Sequence, residues 1–77
     1  MTPNQKIEQA KLIKTGRGWD CYWFASRTEG ADIQALQARV IEVGDRVDIR
    51  CFGRDIEGAD IQLLQDRLDV LSRHADY

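Results

Sequence analysis

The chain writes one phrase twice. Glu-Gly-Ala-Asp-Ile-Gln runs into Leu-Gln and Arg over positions 29–39, and the same phrase returns over positions 57–67, with only Ala35/Leu63 and Ala38/Asp66 differing. Upstream the match continues more loosely: Gln9-Ala10-Lys11-Leu12-Ile13 and Gly16 align with Gln37-Ala38-Arg39-Val40-Ile41 and Gly44, and Asp20 and Phe24 align with Asp48 and Phe52. A duplication of this period makes the chain two copies of one small supersecondary unit. It is read as a single domain over residues 1–77, with repeat units at about 9–38 and 37–73.

Size and composition limit what those units can do. A chain of 77 residues buries a modest fraction of its surface, so association is expected. At 43% hydrophobic and 31% charged it has the make-up of an ordinary globular domain. No apolar run approaches the roughly 18 residues of a membrane span. The opening Met1-Thr2-Pro3-Asn4-Gln5-Lys6 lacks the apolar core of a signal peptide, which points to the cytoplasm and to no membrane partner. A formal net charge of −2 argues against general attraction to polyanions. Cys21 and Cys51 sit in apolar runs and are expected to be reduced, buried and inert.

Local pattern gives each unit two strands and a helix. Lys11 to Thr15 and Gly18 to Ala25 flank Gly16-Arg17, and Val40 to Val43 and Arg46 to Phe52 flank Gly44-Asp45. Glycine at the first loop position is what a type II′ hairpin uses, and the aromatic and β-branched content favours strand. Ile33 and Leu36, then Ile61, Leu64, Leu68 and Leu71, fall on a helical stripe. Ser26-Arg27-Thr28-Glu29 fits a capping box for the first helix, which would stop near Ala38 or Arg39; Asp55 caps the second, which runs to about Arg73.

The resulting fold class is α+β, a pseudo-twofold ββα-ββα repeat. Its four-stranded antiparallel sheet carries two helices on one face, an architecture that resembles a permuted ferredoxin-like sandwich. The alternative is αβαβα, with helices over residues 3–15 and 29–43. The run Phe24-Ala25-Ser26-Arg27-Thr28-Glu29 with Leu36 and Arg39 also resembles the strand-to-helix phrase of peptidoglycan-binding SPOR domains, which implies the same strand-then-helix order. That resemblance covers a minor part of the chain, and no glycan-binding function is taken from it.

Alternation would place Ala10, Leu12, Trp19, Cys21, Trp23, Val40, Val47, Ile49 and Cys51 in a core with the helix stripes. The other sheet face would carry Tyr22, Phe24 and Phe52 as aromatic anchors, Ile13 and Ile41 as apolar surround, and Lys11, Arg39 and Arg50 as polar contacts. Apolar surface of this kind marks an interaction site. The expected function is therefore a non-catalytic protein-binding module, suited to the role of an accessory or inhibitory protein of a phage or mobile element, with a protein partner or a second copy (a homodimer) on the sheet face. The alternative is single-stranded nucleic acid, stacked on the same aromatics with the basic residues on phosphates. No set of residues forms an acid, base or nucleophile constellation, so no enzyme activity, cofactor or metal is expected. His74, the only histidine, reads as a favourable charge at a helix C-terminus.

Overall fold

The structure is a computed structural model and describes residues 1–74. Five helices follow one another: α1 (Pro3–Thr15), α2 (Gly18–Arg27), α3 (Ile33–Val43), α4 (Arg46–Asp55) and α5 (Ile61–His74). No strand occurs among the described residues, so the four-stranded sheet, the ferredoxin-like sandwich and the SPOR-like strand are all replaced by helix. The αβαβα alternative has helices where α1 and, from Ile33, α3 lie, but its strands are α2 and α4. The side chain of His74 lies outside the described set.

Caps and burial period explain why helix wins. Thr2 and Gln5 form a reciprocal capping box around Pro3 at the first helical position, and Asp45 and Asp48 form another at the start of α4. In the supposed strand over residues 18–25 the buried residues are Gly18, Cys21 and Phe24, with buried Thr28 beyond it at the C-cap of α2, and in the one over residues 46–52 they are Ile49 and Phe52, with buried Ile56 at the C-cap of α4, spacings of three and four. That period belongs to a helix and puts residues of opposite parity on one face, which a strand cannot do. Gly16 and Gly44 are helix C-caps with φ of −73° and −79°, so neither makes a type II′ turn. Space is what they provide: a Cβ on Gly44 would lie 2.6 Å from the Val40 carbonyl oxygen.

The repeated phrase is a turn followed by a cap. Gly30 and Gly58 have φ of 82° and 87°, the left-handed region that glycine enters without penalty. Each lies in a turn closed by a backbone bond, from Ala31 N–H to Thr28 carbonyl and from Ala59 N–H to Ile56 carbonyl. Positive φ at the third residue is the requirement of a type II turn. Asp32 then accepts from the Ala35 N–H at 3.1 Å, and Asp60 from the Leu63 N–H at 3.2 Å. The helices are thus capped by the aspartates of the phrase, while Ser26 lies inside α2 and Asp55 ends α4.

Packing follows the duplication. α2 and α4 are one repeat apart at both ends and lie side by side, as do α1 and α3, while α3 packs mainly on α2 and α5 on α4. The molecule is an extended helical stack of 46 × 22 × 14 Å. Its core comprises Cys21, Phe24, Leu36, Val40, Ile49, Phe52, Ile56 and Leu64. Trp19, Trp23, Val47 and Ile61, all expected inside, are exposed instead.

One polar residue belongs to that interior. Gln37 is 1% exposed, and its Oε1 accepts from the Asp60 N–H at 2.6 Å. One repeat earlier, Gln9 Oε1 accepts from the Asp32 N–H at 2.7 Å. Each glutamine thus holds the loop that starts the next repeat, satisfying a backbone donor that the cap leaves free. No helix among the described residues is long and apolar enough to cross a membrane.

Candidate protein-binding face

Helical spacing sorts α2 into two sides. Cys21, Phe24 and Thr28 point inward, so Trp19, Tyr22 and Trp23, at i, i+3 and i+4, share the opposite side. Trp19 is 42% and Trp23 50% exposed, with Tyr22 half-buried between them. Their rings form one cluster: centroids lie 5.1 Å apart for Trp19–Tyr22, 6.0 Å for Trp19–Trp23 and 5.9 Å for Tyr22–Trp23, with the two pairs involving Trp23 edge to face. Such tilted and edge-on pairs are the favourable arrangements of aromatic quadrupoles.

The neighbouring helix continues this side with cations. Repeat equivalence puts Arg46, Val47, Arg50, Cys51 and Arg54 of α4 at the stations of Gly18, Trp19, Tyr22, Trp23 and Ser26. Arg46, Arg50 and Arg54 recur every fourth residue and are exposed, as is Val47. The Tyr22 hydroxyl donates to Asp55 Oδ2 at 2.5 Å, and Asp55 is clasped by Arg54 through Nε at 2.9 Å and Nη2 at 3.0 Å. This chain of bonds fixes the aromatic cluster to the end of α4. It also holds the Asp55 carboxyl down at about 2, first through the Arg54 bond and then through Tyr22, and raises the Tyr22 phenol above its ordinary value.

The residues expected to form the binding site scatter. Phe24 and Phe52 are 1% and 0% exposed, core residues that offer nothing to a partner. Ile13 and Ile41 are half-buried against that core. Arg39 is half-buried too, donating from Nε to the Gly16 carbonyl at 2.8 Å, with Glu42 3.8 Å from its Nη1. Lys11 is exposed, but on α1. Tyr22 and Arg50 alone share the outer side of α2 and α4. The contiguous sheet platform on which bases would stack does not exist, because the sheet does not. Trp19 and Trp23 were missed because alternation assigns them to the core; helical spacing measured from Phe24 would have placed them outside.

Burial pushes the Cys21 thiol up to about 11, opposed next by the Arg39 charge, with Asp20 and Asp48 adding less to the rise. Its Sγ contacts the Leu12 carbonyl at 3.7 Å, as an inert buried thiol would. Cys51 is also free but only half-buried, on the outer part of α4, short of the burial expected of it. No group of three or more His, Cys, Asp or Glu side chains is placed to hold a metal ion among the described residues. Comparison of the chain with protein-family models, curated proteins and solved structures returns no match.

Proposed function

We propose that the chain is a helical-repeat module that binds another protein through the outer side of α2 and α4. The observation that carries this reading is the Trp19–Tyr22–Trp23 cluster, exposed yet pre-ordered by mutual ring packing and by the Tyr22–Asp55 bond. Tryptophan, tyrosine and arginine dominate binding energy at protein interfaces, and rings already held in place lose little entropy when a partner arrives. Arg46, Arg50 and Arg54 favour a partner segment with carboxylates beside its apolar anchor.

The test is affinity capture from a lysate of the source organism, with wild-type chain and a Trp19→Ala/Trp23→Ala variant as baits, combined with sedimentation of the free chain. Both residues are largely exposed, so the variant keeps its fold. The expected result is a captured protein lost by more than about tenfold in the variant, since hot-spot truncations exceed ~1.4 kcal/mol. Equal capture by both baits overturns the proposal. A dimer that falls apart in the variant would make the partner a second copy. Salt-sensitive binding of a mixed single-stranded oligonucleotide would replace the protein with nucleic acid.

A further inference from the structure

The two ends of the helical stack differ. On α1 the stations equivalent to Ile33 and Leu36 hold the polar Gln5 and Glu8, although Ile7 of the same helix is exposed. At the other end, between α4 and α5, a groove of about 200 Å³ is lined by Ile49, Arg50, Gly53, Ile61, Leu64, Gln65 and Leu68. Shifted back by one repeat, these become Cys21, Tyr22, Ala25, Ile33, Leu36, Gln37 and Val40. The earlier set lies between α2 and α3, where α4 packs against both helices and the loop before α5 is bound by Gln37.

Comparing the two stations shows what is uncovered. Val40 and Gln37 are buried, whereas Leu68 is half-buried and Gln65 exposed. Ile33 is half-buried, whereas Ile61 is 58% exposed. The third glutamine of the series, Gln65, binds Asp69 of its own helix at 3.2 Å where Gln9 and Gln37 hold a following loop. α5 is also incompletely seated. Among the described residues it makes no substantial contact with α3, and Arg67 Nε is buried without a partner although its equivalent, Arg39 Nε, reaches the Gly16 carbonyl.

From this we infer that the α4–α5 groove, which shares Arg50 with the outer side of α2 and α4 but none of its aromatic residues, docks one amphipathic helix of another polypeptide carrying the inward pattern of α4. The internal repeat specifies that pattern. α4 brings Ile49, Phe52 and Ile56 to the interior and offers Asp55 to Tyr22, and the chain after it presents the Asp60 N–H to Gln37. The docking helix therefore has an aliphatic residue at i and i+7, an aromatic at i+3 and a carboxylate at i+6. That carboxylate would meet Arg50, which stands at the Tyr22 station, exposed and without an ion-pair partner among the described residues. A folded second copy has no such helix to give, since the inward residues of both its α2 and its α4 are already buried.

The probe is a peptide with the sequence of residues 44–60 of this chain, held helical by a hydrocarbon staple across its outward positions 47 and 51. Titrated into the isotope-labelled chain, it should shift the amides of Gly53, Gln65 and Leu68. Arg50→Glu in the chain should weaken binding roughly tenfold, and Asp55→Arg in the peptide should restore part of that loss. Gln65→Ala should weaken binding without changing stability. The Trp19→Ala/Trp23→Ala variant should bind the peptide normally, so the two docking surfaces stand or fall separately. No shifts at about millimolar peptide, or shifts confined to α2, would overturn the inference. So would concentration-dependent shifts of the same groove amides in the chain alone, which would make the occupant a second copy.

Discussion

Phe52 touches no solvent and sits at the centre of the core, where α4 meets its neighbours. Phe52→Ala is expected to cost about 3–5 kcal/mol by leaving a cavity that packed neighbours cannot close. That is a large share of the stability of a domain this small, so the variant should be wholly or mostly unfolded in a chemical denaturation series. Gln37 makes a second residue-scale case. Gln37→Ala strips the Asp60 N–H of its acceptor in a nearly dry site and should cost about 1–3 kcal/mol. Gln65→Ala, the same change one repeat on but at an exposed position, should stay within about 0.5 kcal/mol. Equal losses from the two alanines would contradict the asymmetry of the stack. Identical letters in the two copies of the phrase thus conceal different environments, and no property of a glutamine by itself reveals which one is buried.

α2 and α4 depend on each other through titrating groups as well as through the core. Asp55 has its pKa depressed in the folded chain, so its contribution to stability is present above the unfolded value of about 3.9 and is lost as pH falls toward about 2. Asp48 works the other way: burial raises its pKa, so it favours the fold when protonated and ceases to do so as pH rises through that raised value. Melting temperature should therefore fall on acidification from about pH 4, and the fall should be shallower in Asp55→Asn, where only the opposing Asp48 response remains of this pair. Tyr22 has a raised pKa and contributes below the unfolded phenol value of about 10, losing that contribution as pH rises further. Tyr22→Phe should flatten the alkaline limb of the same melting profile; an unchanged limb would show that the Tyr22–Asp55 bond does not tie the helices together. At this scale the sequence was partly readable. The stripes of α3 and α5 are visible as Ile33, Leu36, Ile61, Leu64 and Leu68. α2 and α4 are short apolar runs rich in aromatic and β-branched residues, for which local preference favours strand while packing imposes helix.

Seen whole, the chain is a short stack in which each helix touches helices one or two places away in the series. Stability in such a stack concentrates where neighbours lie on both sides. α3 contributes Leu36, Gln37 and Val40 to the buried interior, whereas α1 contributes no buried residue. Amide exchange should accordingly be slowest around Leu36–Val40 and Ile49–Phe52 and fastest in α1 and the second half of α5. Uniform protection across all five helices would mean that the stack unfolds as one unit rather than from its ends.

By itself the sequence determined the repeat that carries Gly30 onto Gly58 and the apolar stripes of α3 and α5; the caps it pointed to, Ser26 and Asp55, gave way to the turn and aspartate cap of the Glu-Gly-Ala-Asp phrase. The stripes and the turn with its cap depend on contacts close along the chain: side chains one or two helical turns apart, a glycine that can take positive φ, and an aspartate that reaches the third N–H onward. Two capping boxes, Thr2 with Gln5 and Asp45 with Asp48, were also present as local signals for helix starts. Only the tertiary structure decided that Phe24 and Phe52 are core while Trp19 and Trp23 are surface, and that Gln37 is enclosed while Gln65 is open. Those outcomes depend on which helix lies across which, and a neighbour distant along the chain leaves no mark on the local pattern of a short aromatic run.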